Sequence, residues 1–70
     1  MGIRKLKNSI GRKIKNLRLE NGLSQEKLAE LVNMSREHIS CLECGKHLIT
    51  IDSLYKISEF FKIDIKTFFD

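Results

Sequence analysis

No proline occurs in the 70 residues, so no ring interrupts a helix by removing an N–H. No stretch approaches the ~18 consecutive apolar residues of a membrane span, and no signal-peptide pattern opens the chain. Repeats, low-complexity tracts and interdomain linkers are equally missing. Nor do a nucleophile, a base and an orienting group stand in a pattern that would let them converge, and so short a chain leaves little room for a substrate pocket. These absences point away from an enzyme. They point toward a cytoplasmic protein of one domain, residues 1–70, with residues 1–8 as a basic N-terminal extension.

What is present is globular in composition: 41% of residues are hydrophobic and 31% charged. A chain of this length buries only about 60% of its unfolded surface, and several helices packed as a bundle are the natural way to do so. The net charge of +4 is unevenly placed. Residues 1–20 carry seven basic side chains against Glu20 alone, a net of +6, whereas residues 21–45 carry two basic and four acidic ones, a net of −2. Basic charge concentrated at one end suits a phosphate backbone, although a solvated helix face has the same composition.

Ile3, Leu6, Ile10, Ile14 and Leu17 recur at three- and four-residue steps and predict a first helix that ends at Asn21-Gly22, a good C-cap pair. This helix could begin near residue 3 and continue through Gly11, or residues 1–8 could form a separate turn or a loose basic arm; Gly11 weakens the pattern, so the helix is expected to be firm from about Ser9. Ser24 caps a second helix with Leu28, Leu31 and Val32 on one face. Asn33 tolerates a left-handed conformation and can turn the chain sharply. Ser35 then caps a third helix through about Glu43, in which Ile39 and Leu42 face inward, while the small Ala29 lets the two axes approach. Arg36, Glu37, Ser40 and Cys41 are left on the outer side. Gly45 ends this helix, Thr50 caps a fourth with Leu54, Ile57 and Phe61 on one face, and Asp64 caps a short fifth bearing Ile65, Phe68 and Phe69. Two short helices joined by a tight turn are a device for presenting the second of them to DNA.

The run LSQEKLAELVNMSREHISCLECGK, Leu23 to Lys46, resembles the lambda-repressor-like (Cro/repressor, XRE-type) helix-turn-helix family, and the likeness extends from about Ile10 to Phe69. Gln25, Ala29, Ile39, Leu42 and the Glu43-x-Gly45-Lys46 ending carry it. Asn33 stands where the family usually has glycine, a change the turn geometry permits, and Cys44 stands where asparagine is common. The resemblance implies an all-α, five-helix DNA-binding domain with the helix-turn-helix at helices 2 and 3. It further implies a buried ion pair between Arg18 and Glu43, a Gln25 amide that binds phosphate and supports the first side chain of the recognition helix, and a C-terminal dimer contact.

In helix-turn-helix docking the second helix of the motif enters the major groove with its N-terminal residues at base edges. Arg36 is therefore expected to donate two hydrogen bonds to a guanine and Glu37 to accept from a cytosine amino group. Ser35 and Ser40 can meet bases or phosphate, and Cys41 a thymine methyl. Ser24 and Gln25, at a helix N-terminus that attracts anions, and Lys46 are expected on phosphates, where they set affinity and register rather than sequence. One recognition helix sees few bases, so a homodimer on a palindromic operator is expected, acting as a repressor, with Phe60, Ile65, Phe68 and Phe69 at the interface because four phenylalanines exceed what one small core hides comfortably. No cofactor is implied.

Two other readings compete. His38, Cys41, Cys44 and His47 are spaced by three throughout and are of zinc-ligand type, so a metal- or thiol-responsive regulator is one alternative, although the spacing is tighter than in ordinary zinc modules. A protein-interaction module, such as an antitoxin or adapter with a protein partner, is the other.

Overall fold

Hydroxyl side chains open three of the helices by taking up otherwise unpaired amides. Ser24 accepts from the Lys27 amide at 3.0 Å, Ser35 from that of His38 at 3.0 Å, and Thr50 from that of Ser53 at 3.4 Å. The computed structural model describes residues 2–69. Its elements are α1 (Ile3–Glu20), α2 (Gln25–Leu31), α3 (Arg36–Glu43), α4 (Ile51–Phe61) and a closing 3-10 helix (Ile65–Phe69), with no strand among the described residues. The fold is thus all-α as expected, with one correction: the fifth helix is a 3-10 helix rather than an α-helix. Asp64 opens it, its side chain accepting from the Lys66 amide at 3.1 Å.

A second correction concerns α1. The favoured reading makes it firm from about Ser9, yet among the described residues the helix runs unbroken from Ile3, as the alternative start near residue 3 has it. Tertiary contacts supply the reason. Leu6 packs against the core, and the Asn8 side chain lies against Gly45. Gly11 is buried rather than disruptive, because a Cβ there would run into the backbone carbonyl of Leu42 at the end of α3. Its missing side chain is what lets α1 and α3 approach.

The four α-helices end in the same way, on a residue with positive φ followed by an amide that reaches back to a carbonyl in the last turn. Asn33 has φ 58° and is followed by a Met34-to-Ala29 hydrogen bond of 2.8 Å; Gly45 has φ 72° and is followed by a Lys46-to-Cys41 hydrogen bond of 3.0 Å. Gly22 ends α1 likewise. Lys62, at φ 58°, ends α4 although no sequence signal marks it.

Ile14, Leu28, Ile39, Leu42, Leu54, Ile57 and Phe68 are almost wholly hidden and draw every helix into one core. A third correction follows. Phe68 is fully buried, so it cannot belong to a dimer surface; the 3-10 helix turns it under, where its full burial stabilises the fold by about 1.5–3 kcal/mol. Ile65 and Phe61 are half-buried against the same core, whereas Phe60 and Phe69 stay 38% and 49% exposed. Phe60 meets Phe61 edge to face, with ring centroids 5.0 Å apart.

Candidate nucleic-acid interface

The α3 helix is fixed from beneath by its last acidic residue. Glu43, whose side chain is 3% exposed, accepts from Arg18 Nε at 2.7 Å and Nη2 at 3.1 Å, and from Gln25 Nε2 at 3.1 Å. Arg18 Nη1 completes the set by donating to the Leu23 carbonyl at 2.8 Å. One carboxylate therefore joins α1, the start of α2 and the end of α3. The hydrogen bonds to Glu43 outweigh the desolvation of Arg18, and they hold its guanidinium still further toward the charged form.

Above this junction, α3 divides into two faces. Ile39 and Leu42 are buried beneath, while Ser35, Arg36, Glu37 and His38 are exposed and Ser40 and Cys41 half-buried. Arg36 offers five N–H donors at the first helical position, with Glu37 beside it as an acceptor. The oxygens of Ser24 and Ser35 are occupied as caps, which leaves each hydroxyl hydrogen available to donate. Lys46 is exposed in the turn after α3.

Gln25 differs from the expectation in its local contact. Its amide donates to Glu43 instead of turning to Arg36, since a buried carboxylate needs its remaining lone pairs satisfied. Sequence reasoning also missed what Asn8 and Gly11 do in α1. Arg4, Asn8, Gly11, Lys15 and Arg18 recur at four- and three-residue steps, and along this stripe Asn8 meets Gly45, Gly11 meets Leu42 and Arg18 meets Glu43. Arg4 and Lys15, on the same stripe, are exposed. The same spacing was available in the sequence, but its meaning depends on knowing what α1 packs against.

Among the described residues no group of three or more His, Cys, Asp or Glu is placed to hold a metal ion. The zinc alternative built on His38, Cys41, Cys44 and His47 is therefore not assembled, since six residues of helix already separate His38 from Cys44 by about 9 Å along the axis. Both cysteines are free thiols. Elsewhere, Leu31, Val32, Tyr55 and Phe60 line an open groove of about 550 Å³ between the end of α2 and α4. No described helix is long and apolar enough to cross a membrane.

A helix-turn-helix family (HTH_3) matches residues 14–68. An uncharacterised HTH-type transcriptional regulator of Rickettsia conorii is 34% identical over 68 residues, which cover 97% of this chain and 54% of that protein. The chain thus spans about half the length of the curated relatives it matches. Among solved structures, an HTH_3 family transcriptional regulator from Vibrio cholerae superposes with a TM-score of 0.88 at 31% identity, over 97% of this chain and 38% of the other. The restriction-modification controller protein C.AhdI from Aeromonas hydrophila superposes with a TM-score of 0.82 at 26% identity, over 89% and 94% of the two chains.

Proposed function

Because the chain belongs to the helix-turn-helix family, we propose that it is a sequence-specific DNA-binding regulator of transcription. In this reading it is a cytoplasmic repressor that places α3 in the major groove. The observation that carries the reading is the division of α3: Arg36 and Glu37 project from the start of a helix whose other side is locked to α1 and α2 through Glu43. Rigid presentation of donors and acceptors is what base readout needs. Arg36 reads a guanine, Glu37, Ser40 and Cys41 meet neighbouring bases, and Ser24, Gln25, Ser35 and Lys46 hold phosphates. The transcriptional regulators among its relatives, and a restriction-modification controller that matches over nearly its whole length, support the same role.

The protein acts as a homodimer on an operator with two half-sites about 34 Å apart. Its interface takes in the exposed Phe60 and Phe69 and the half-buried Ile65, without Phe68. Selection of bound sequences from a random duplex pool tests the whole proposal. A two-fold-symmetric motif is expected, and a pool that stays random at low salt would refute sequence-specific readout.

A further inference from the structure

We propose that Cys41 and Cys44 form a peroxide-sensitive dithiol whose closure to a disulfide loosens the Glu43 junction and lowers DNA affinity. The effect on DNA rests on the functional reading above; the effect on the junction does not.

Both thiols are free, Cys41 half-buried in the last turn of α3 and Cys44 exposed as its C-cap. Residues three apart on a helix have Cα atoms about 5 Å apart, inside the range a disulfide spans. Their Cβ atoms lie about 5–6 Å apart, however, and a disulfide needs about 3.8 Å. Closing the bridge therefore pulls the last turn of α3 tighter by about 1–2 Å. That turn contains Glu43, between the two cysteines, with its hydrogen bonds of 2.7, 3.1 and 3.1 Å to Arg18 and Gln25. Charge-assisted hydrogen bonds are short and directional, so a displacement of this size breaks or lengthens them. The hydrogen bond from Lys46 to the Cys41 carbonyl closes the same turn, so the bridge also shifts Lys46.

The chemistry balances with hydrogen peroxide as oxidant. The exposed Cys44, as thiolate, attacks one peroxide oxygen; the O–O bond breaks, a sulfenic acid forms and hydroxide leaves as water. Cys41, as thiolate, then attacks the Cys44 sulfur, the S–S bond forms, and the sulfenic oxygen leaves as a second water. Two thiols have lost two electrons and two protons to one peroxide. A dithiol reductant reverses the change.

The test treats the 70-residue chain with hydrogen peroxide and reads three quantities. Mass spectrometry is expected to show a loss of about 2 Da and a Cys41–Cys44 linked peptide. The 1H–15N signal of Arg18 Nε is expected to shift or broaden, and affinity for the selected operator to fall at least about tenfold, both returning on reduction. Cys44→Ser binds as the reduced protein does and ignores peroxide. A verified bridge that leaves the Arg18 signal unmoved, or oxidation that gives sulfinic acid or intermolecular dimers instead of the bridge, overturns the inference. If the reduced protein binds no DNA, the functional reading fails and the Arg18 signal alone decides this one.

Discussion

Arg18 and Glu43, 25 residues apart in sequence, meet through two parallel hydrogen bonds of 2.7 and 3.1 Å beneath the helix that carries Arg36. Removing one partner leaves the other charge buried and unpaired. Glu43→Ala is therefore expected to cost about 3–5 kcal/mol, a large share of the stability of a domain this small. Arg18→Met combined with Glu43→Leu strands no charge and is expected to cost distinctly less. Urea unfolding of both variants checks this, and equal losses would show that packing rather than charge pairing holds the junction.

Gly11→Ala sets two effects against each other. Helix propensity alone favours alanine by about 1 kcal/mol. The added Cβ, however, would meet the Leu42 carbonyl, which belongs to helical backbone and cannot swing aside. Overpacking wins, and a net destabilisation of about 1–3 kcal/mol is expected. Asn16→Ala, at an exposed position inside the same helix, serves as the control in thermal melts.

That position marks the boundary of what the sequence discloses. Ser24, Ser35 and Thr50 as caps, and Gly22, Asn33 and Gly45 as exits, are legible because capping and left-handed turns are decided within a few residues. Gly11 reads as a weakness and residues 1–8 as a turn or loose arm because their value lies in distant contacts: Gly11 with Leu42, Asn8 with Gly45 and Leu6 with the core. Phe68 reads like Phe69, since a five-residue segment leaves open whether it forms an α- or a 3-10 helix, and hence which ring turns inward. Gln25 is legible as part of a motif, yet its donation to Glu43 depends on where α3 ends. The outward residues of α3 follow from periodicity, while the depth at which Ser40 and Cys41 sit does not.

Lys62 ends α4 in a conformation that crowds any Cβ. An L-residue there costs about 1–2 kcal/mol, part of which glycine returns in unfolded-state entropy. Lys62→Gly is expected to raise stability by about 0.5–1 kcal/mol, and Lys62→Val to lower it, since β-branching worsens the strain. Chemical unfolding decides the sign; a stabilised valine variant would mean that α4 ends differently in solution.

On DNA, Arg36 and Lys46 are expected to behave differently. Loss of a bidentate base contact relaxes preference at one position in each half-site, so Arg36→Ala should cost about 1–3 kcal/mol there and little elsewhere. Lys46→Ala should weaken binding to all sequences alike and reduce the log–log salt slope by about one. Repeating the duplex selection with Arg36→Ala, and salt titrations with Lys46→Ala, separates the roles. An unchanged motif after Arg36→Ala would move readout to another residue.

Phe60 and Phe68 lie eight residues apart and should fail in opposite ways. Phe68 is wholly buried, so Phe68→Ala leaves a cavity costing about 3–5 kcal/mol and should unfold much of the population, whatever the oligomeric state. Phe60 is 38% exposed beside Leu31 and Tyr55 at the open groove, and its edge contact with Phe61 is worth only about 0.5–1.5 kcal/mol. Phe60→Ser should keep the helical signal while shifting sedimentation from dimer to monomer. The monomer retains one recognition helix and should bind an isolated half-site as before, but lose the tighter binding that a linked second half-site provides. A Phe60→Ser protein that still sediments as a dimer would place the contact on other residues, with Phe69 and Ile65 the next to be replaced.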